Sequence, residues 1–148
     1  MIRYKASKYD DPFVVSKIDS LEIFEDGFKP SMQTLIKYFN SEYKWDEMFS
    51  IEDVVKRLND GNTLFILWSK ESPLGYVFFK EINSHTTFLY NFYVTKVLDR
   101  SKTLPIKFIN IVCREMFQKY NEIELECEEW NIAAQKVFEI NDFKKIND

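Results

Sequence analysis

The sequence predicts one α/β domain built on a mixed sheet, in which an antiparallel meander leads into a parallel strand–helix–strand crossover. Three runs rich in aromatic and β-branched residues, 63–69, 74–82 and 87–94, follow one another through loops of four residues, which is typical of antiparallel hairpins. Apolar residues then recur at three-and-four spacing over 106–120, which indicates a buried helix face. Residues 122–127 alternate between glutamate and apolar side chains. A helix between two strands makes them parallel neighbours.

Length and composition exclude several classes of protein. The chain has 148 residues, enough for one domain, and 45% hydrophobic and 17% aromatic content supplies a core. Net charge is −4 without a basic block, which disfavours nucleic acid as a partner. No apolar run approaches the roughly 20 residues of a membrane span. Residues 1–10 are polar and resemble no signal peptide, so we expect a cytoplasmic protein with no membrane partner.

Cysteine and histidine content argues against a metal centre. Cys113 lies in the helical stripe and Cys127 in a core-facing strand position, so both are expected to be free thiols in a reducing compartment. His85, the single histidine, falls in a meander turn and is expected at the surface rather than as a base. No Cys/His spacing predicts a zinc site.

In the N-terminal third, the clearest sequence signals are those of helix starts. Residues 2–6 fit a short strand, and Asp10, Asp11 and Pro12 signal a helix start. Residues 13–15 and 21–24 fit either a helix or strands, and the pattern leaves that choice open.

Two later helices are predicted in this third. Ser31 is expected to cap a helix that carries Met32, Leu35, Ile36 and Phe39, and residues 39–49 to form an aromatic-rich loop. Ser50 and Asp53 resemble a capping box, which opens a further helix that Gly61 closes.

The segment 89–143 predicts a strand, a loop over 95–103, a helix, a strand, a second helix and a last short strand. The loop leaving the first strand directs the free N–H groups of the first helix outward, which favours an anion site. The predicted stripe of that helix comprises Ile106, Ile109, Val112, Cys113, Met116, Phe117 and Tyr120. In the following strand, Ile123, Leu125 and Cys127 are expected on one side and the glutamates on the other.

A pattern in the last third carries a family resemblance. Leu125 opens it, Asn131 and Ala134 follow at fixed spacing, and Phe143 comes further on. In these positions the chain resembles the GCN5-related N-acetyltransferase (GNAT) family. The resemblance implies acetyl-CoA as co-substrate, with Asn131 at the site and the pantetheine arm along the strand that ends at Tyr93 and Val94. It also implies a primary-amine acceptor, either a small molecule or a protein.

One departure concerns the family's pyrophosphate loop, which reads Arg/Gln-x-x-Gly-x-Gly/Ala. Residues 99–105 contain no glycine, although glycine permits close backbone approach to phosphate. Arg100, Ser101, Lys102 and Thr103 supply charges and hydroxyls that we expect to bind the pyrophosphate at the helix start. The alternative is a solvated loop with a Ser/Thr helix cap.

A second departure concerns proton transfer, because acetyl transfer needs a base for the amine and an acid for the departing thiolate. The family often has a tyrosine acid where Phe138 stands, and phenylalanine cannot donate. Glu126 matches the base of some members, and the alternative is a solvent-facing strand glutamate. Tyr90, Tyr93 or Tyr120 could supply the acid, but no spacing selects one.

Two function classes remain open from the sequence. The first is an acyl-CoA-dependent N-acetyltransferase, and the second is a non-catalytic binding or structural subunit with the same scaffold. A third class, a nucleic-acid-binding module, is supported only by the lysine and aromatic content. Because the family usually adds a strand beyond residue 143, we also expect an uncovered sheet edge at 122–127, where a homodimer could form.

Overall fold

The computed structural model describes residues 1–3, 13–43, 48–70, 72–96 and 103–146. In these ranges one five-stranded sheet runs in chain order: β1 (Phe13–Ile18), β2 (Thr63–Ser69), β3 (Ser72–Glu81), β4 (Thr86–Val94) and β5 (Glu122–Leu125). Neighbours from β1 to β4 are antiparallel, and β4 and β5 are parallel. The meander, the parallel crossover and the mixed sheet of the predicted fold class are therefore confirmed.

Helices cover both faces of the sheet. The described helices are α1 (Leu21–Gly27), α2 (Lys29–Glu42), α3 (Ile51–Asn59), α4 (Leu104–Met116) and α5 (Ile132–Ile140). We call the cluster that α4 and α5 form with the sheet the first core, and the cluster of α1, α2 and α3 on the opposite face the second core. Both sides of β2 are buried: Phe65 and Leu67 belong to the first core, and Leu64 and Ile66 to the second.

The structure resolves the open choice at residues 13–24. Residues 13–18 form an edge strand, because they pair with β2 from Phe13 opposite Ser69 to Ile18 opposite Leu64. The next residues turn into α1, where the Ser20 hydroxyl caps the helix by accepting from the Ile23 N–H at 3.2 Å. The helix-start signal at 10–12 and most of the predicted strand 2–6 lie outside the described residues.

The predicted start of α2 is wrong. The helix begins at Lys29, and Ser31 lies inside its first turn. Pro30 explains the difference, because first-turn N–H groups have no partner within the helix and proline loses nothing there. The helix also continues through Glu42, so the predicted loop does not begin at Phe39. Residues 44–47 of that loop lie outside the described residues.

The predicted capping box of α3 is confirmed. The Ser50 N–H donates to Asp53 Oδ2 at 2.9 Å, and the Asp53 N–H donates to Ser50 Oγ at 3.3 Å. The helix ends at Asn59, and Gly61 follows with φ of 89°. Only glycine adopts such a backbone angle at low cost, which is the physical basis of a helix stop.

The buried face of α4 departs from the predicted stripe at two positions, because Ile106 is only half-buried and Phe117 is exposed. Phe117 is 53% exposed, because α4 ends at Met116 and the helical spacing ends with it. Leu104 and Phe108, which the prediction omitted, are buried instead. The alternation after α4 is confirmed: Ile123, Leu125 and Cys127 pack against the first core, and Glu122, Glu124 and Glu126 are exposed.

The prediction of a last short strand is wrong. In the described residues 103–146, no strand follows α5. The chain folds back instead. The Phe143 N–H donates to the Phe138 carbonyl at 3.0 Å and the Asp142 N–H to the Glu139 carbonyl at 3.0 Å, with Asp142 at φ of 67°. These two bonds define a Schellman motif. Phe143 packs on Phe138 and closes the helix rather than starting a strand.

Candidate active site

The central feature of the site is a gap between β4 and β5. The two strands pair from Thr86 opposite Glu122 to Leu89 opposite Leu125, and the register ends there. β4 continues to Val94. The two strands therefore separate toward their carboxyl ends, which is the end of an α/β sheet where ligands usually bind.

A β-bulge in β4 marks the point of separation. Tyr90 pairs with Phe78, whereas Tyr93 pairs with Tyr76, so two β4 residues stand opposite one residue of β3. Asn91, one of the two, has φ of 51°, a conformation that asparagine tolerates better than most residues. A bulge bends its strand and increases the local twist. The bulge thus begins two residues after Leu89, the last residue that β4 pairs with β5.

The backbone of Val94 faces the gap. The Thr95 N–H donates to the Leu74 carbonyl at 2.8 Å, which makes those two residues a hydrogen-bonded pair of the β3–β4 ladder. Hydrogen-bonded and non-bonded pairs alternate, so Val94, opposite Gly75, directs its N–H and C=O away from β3. A Cβ on Gly75 would collide with the Tyr93 carbonyl oxygen, so glycine permits this close approach.

α4 is the first described helix after β4, and its amino end is at Leu104. Thr103 precedes the helix, is exposed, and does not cap it with its side chain. Pro105 lies in the first turn and has no N–H to satisfy. Of the predicted pyrophosphate ligands, Thr103 stands at the helix start, and Arg100, Ser101 and Lys102 lie outside the described residues. Their role stays a prediction.

Glu126 follows directly on β5. Leu125 and Cys127, on either side of it, pack against the first core. Successive side chains of an extended chain point to opposite faces, so the exposed Glu126 carboxylate lies on the opposite face of the sheet. Tyr93 of β4 belongs to the second core and therefore lies on that same face.

Asn131 has a structural role that the sequence did not reveal. Its Oδ1 accepts the Ala134 N–H at 3.2 Å and so caps α5. The asparagine and the alanine of the family pattern are thus a helix cap and its donor. Asn131 as a cofactor ligand stays a prediction.

The position of the family's acid is filled by core packing. Phe138 is buried, and its ring contacts Phe92 at a centroid distance of 5.8 Å and Phe143 at 5.6 Å. It therefore contributes to packing and holds no transferable proton.

The three candidate tyrosines have different surroundings. Tyr90 donates to Asn62 Oδ1, and Tyr120 donates to Glu81 Oε1 at 2.8 Å. Burial raises the pKa of Tyr90, and burial together with the Glu81 hydrogen bond raises the pKa of Tyr120. Tyr93 is 4% exposed, and its hydroxyl has no hydrogen-bond partner among the described residues.

The Tyr93 ring is held by other aromatic rings. Its centroid lies 5.3 Å from that of Phe39, 6.1 Å from Tyr43 and 5.5 Å from Tyr76. The contacts with Phe39 and Tyr43 are edge-to-face and the contact with Tyr76 is tilted, and such aromatic pairs are favourable. A buried hydroxyl without a partner costs about 1–3 kcal/mol, so the packing holds Tyr93 in place against that cost.

Neither cysteine is an activated nucleophile. Burial raises the pKa of Cys113 to about 12, and burial with the Glu128 charge raises the pKa of Cys127. The reactive form of a cysteine is the thiolate, which these surroundings disfavour at neutral pH.

Two other kinds of feature are absent from the described ranges. These ranges contain no group of three potential metal ligands. Their helices are all too short or too polar to span a membrane.

A mixed sheet whose fourth and fifth strands are parallel, separate after a bulge in β4, and carry helices on both faces is the fold of the GNAT acetyltransferases. Comparison with solved structures confirms this fold. No protein-family model matches the sequence, and no curated protein matches it.

The similar structures include an aminoglycoside acetyltransferase, meta-AAC0020, from an uncultured soil metagenomic sample. It is 14% identical with a TM-score of 0.70, over 92% of this chain and 91% of that one. A second is the complex of AAC(6')-Iy with a bisubstrate analog of CoA and acetylneamine, which is 14% identical with a TM-score of 0.62, over 93% and 95%. A GNAT-family acetyltransferase from Streptococcus pneumoniae TIGR4 is 9% identical with a TM-score of 0.63, over 90% and 88%. At these identities the likeness establishes the fold, and it agrees with the resemblance seen in the sequence.

Proposed function

We propose that this protein transfers the acetyl group of acetyl-CoA to a primary amine. The observation that carries the proposal is the separation of β4 from β5 after Leu89 and Leu125. An extended chain with amide groups, such as the pantetheine arm, fits beside a strand whose backbone groups lack a neighbour. Val94 offers such groups to the gap. AAC(6')-Iy, with the same fold, is in complex with a CoA-containing analog.

The CoA pyrophosphate would lie at the start of α4. The uncompensated N–H groups and the dipole of a helix start favour an anion there. In the sequence just before α4, Arg100 and Lys102 supply two positive charges, and Ser101 and Thr103 supply hydroxyl donors. In this proposal charge and hydroxyl groups replace the glycine backbone of the family's loop.

Glu126 is proposed as the base. The acceptor must lose a proton before its nitrogen attacks the thioester carbonyl, and a carboxylate, directly or through a water, can accept it. Glu126 is exposed beside the gap on the face that also carries Tyr93. The reaction then forms a C–N bond and breaks the C–S bond of acetyl-CoA.

The acidic surface of β5 and the following turn supports a cationic acceptor. Clustered charge of one sign attracts an oppositely charged ligand. Five exposed glutamates lie here: Glu122, Glu124, Glu126, Glu128 and Glu129. A protonated amine, whether a small molecule or part of a protein, suits this surface.

The test of this proposal is binding of acetyl-CoA. We expect millimolar acetyl-CoA to raise the unfolding temperature, because a ligand that binds the native state alone stabilises it. Arg100→Ala and Lys102→Ala should weaken the binding measured by calorimetry and reduce its salt dependence. Lys80→Ala is the matched control, since Lys80 is exposed and pairs with Phe88 near the start of β4. Neither heat nor stabilisation with the unmodified protein would contradict the proposal.

Phe138 favours one alternative function. Because this position is packed into the first core, the scaffold could bind acetyl-CoA without transferring its acetyl group. Such a protein would show the calorimetric signal but release no CoA thiol in the presence of any amine.

A further inference from the structure

We propose that the Tyr93 hydroxyl is the acid that protonates the departing CoA thiolate. This inference rests on the proposed acetyltransferase function and supplies the acid that Phe138 cannot provide. It identifies one catalytic tyrosine out of three that the sequence leaves equivalent.

Hydrogen bonding separates the three tyrosines. Tyr90 is bonded to Asn62, which itself donates to the Arg57 carbonyl at 2.9 Å. Tyr120 is bonded to Glu81, whose backbone pairs with Thr87 at the start of β4, far along the strand from the gap. Tyr93 alone among the three has a buried hydroxyl that no described residue contacts by a hydrogen bond.

The position of Tyr93 fits the role. It immediately precedes Val94, whose backbone faces the gap, so its side chain rises from the strand that borders the gap. Its side chain lies on the same sheet face as Glu126, which stands on the other side of the gap. Phe39, Tyr43 and Tyr76 fix its ring, and a fixed donor loses little freedom when a ligand arrives.

An unpaired buried hydroxyl indicates a missing partner. Nearly all buried polar groups are hydrogen-bonded, so an exception in a native structure points to a ligand or a catalytic role. The sulfur of a thioester bound in the gap would accept from Tyr93 Oη, and the thiolate that forms from it would accept more strongly.

In acetyl transfer by this route, the bonds and the protons balance. The amine nitrogen forms a bond to the thioester carbonyl carbon, and the C–S bond breaks with its electron pair left on sulfur. Tyr93 Oη gives its proton to that sulfur, so CoA leaves as the thiol. The resulting phenolate takes the second proton from the nitrogen as the amide forms, which restores Tyr93 for the next turnover.

The experiment compares the unmodified protein with Tyr93→Phe and with Tyr120→Phe as the matched control. Three quantities are measured: the unfolding temperature without ligand, the Kd for acetyl-CoA, and the rate of thiol release with ethylamine, benzylamine, spermidine, kanamycin and a lysine peptide. Tyr93→Phe should keep or raise the unfolding temperature, because it removes an unpaired buried hydroxyl. It should weaken acetyl-CoA binding about two- to tenfold and lower kcat about a hundredfold or more. Tyr120→Phe should lower the unfolding temperature and leave the other two quantities unchanged.

The outcomes that overturn the inference are distinct from failure of the proposed function. If the unmodified protein is active, a Tyr93→Phe variant with equal kcat removes Tyr93 from the mechanism. If none of the five amines is accepted, equal acetyl-CoA affinity in the two proteins overturns it. If the unmodified protein does not bind acetyl-CoA, the proposed function fails and the inference falls with it.

Discussion

Glu126 differs from its neighbouring glutamates by its position relative to the gap. Glu124 lies on the same sheet face two residues earlier, but it is opposite Phe88, where β4 and β5 are still paired. Glu126 comes after the last pair, where the two strands have separated. Of these two chemically identical residues, Glu126 is therefore the one that follows the end of the β4–β5 pairing.

We expect Glu126→Gln to lower kcat about a hundredfold or more while leaving the Kd for acetyl-CoA nearly unchanged. Glutamine keeps the size of the side chain but cannot accept a proton in this range, and general base catalysis is typically of this magnitude. Steady-state thiol release and calorimetry measure the two quantities.

Glu124→Gln is the control, because it removes the same charge from the same face without touching the gap. It should retain activity close to that of the unmodified protein. Equal turnover of Glu126→Gln and the unmodified protein would exclude Glu126 as the base, and equal losses in both variants would indicate a general charge effect.

At the scale of the element, the bulge of β4 lies just beyond the last residue that pairs with β5, where a bend in the strand would separate the two strands. Asn91 is exposed, so its side chain contributes little to packing, and its backbone angle is the property that matters. The left-handed conformation costs a β-branched residue more than asparagine, because its Cβ substituents crowd the backbone.

Asn91→Val is therefore expected to lower the free energy of unfolding by about 1–2 kcal/mol and to weaken acetyl-CoA binding as the strand straightens. Asn91→Gly is the matched control, since glycine adopts this angle readily and should preserve both properties. Urea unfolding and calorimetry provide the measurements. If Asn91→Val has the same free energy of unfolding and the same affinity for acetyl-CoA as the control, the bulge does not depend on this residue.

At the scale of the whole molecule, β5 ends the sheet in the described part of the chain. The exposed glutamates of β5 would repel those of a second copy meeting it directly. The tail after α5 is basic and apolar, with Lys144 and Lys145 exposed and Ile146 84% exposed. Trp130, Ile132 and Ile140 also expose large apolar surfaces nearby in the chain, and such surfaces often mark interaction sites.

We expect the protein to self-associate through this edge, with the tail of one copy against the acidic strand of the other. Opposite-charge cross-strand pairs contribute roughly 0.2–1 kcal/mol each. Deleting residues 144–148 should dissociate the dimer in sedimentation experiments at several concentrations. The deletion begins after Phe143, because Phe143 closes α5.

A single species of monomer mass up to high micromolar concentration would contradict this prediction. It would instead support the alternative that a short, charged edge strand protects itself from pairing. A dimer that survives the deletion would place the interface elsewhere.

The sequence by itself determined the features that depend on neighbours along the chain. The capping box of Ser50 and Asp53 joins residues three apart, and the alternation after α4 follows from the two-residue period of a strand. Short loops fixed the meander in the same local way. The mixed sheet, and the choice of Val94 and Glu126 as residues beside the gap, followed from these features and from the family pattern.

The tertiary structure decided what depends on residues far apart. Phe13 to Ile18 became a strand because β2 lies beside it, about fifty residues away in the chain. Tyr90 and Tyr120 donate hydrogen bonds to Asn62 and Glu81, partners that no spacing rule connects to them. Only the packed molecule shows that, of these three tyrosines, Tyr93 is the one whose buried hydroxyl has no hydrogen-bond partner among the described residues.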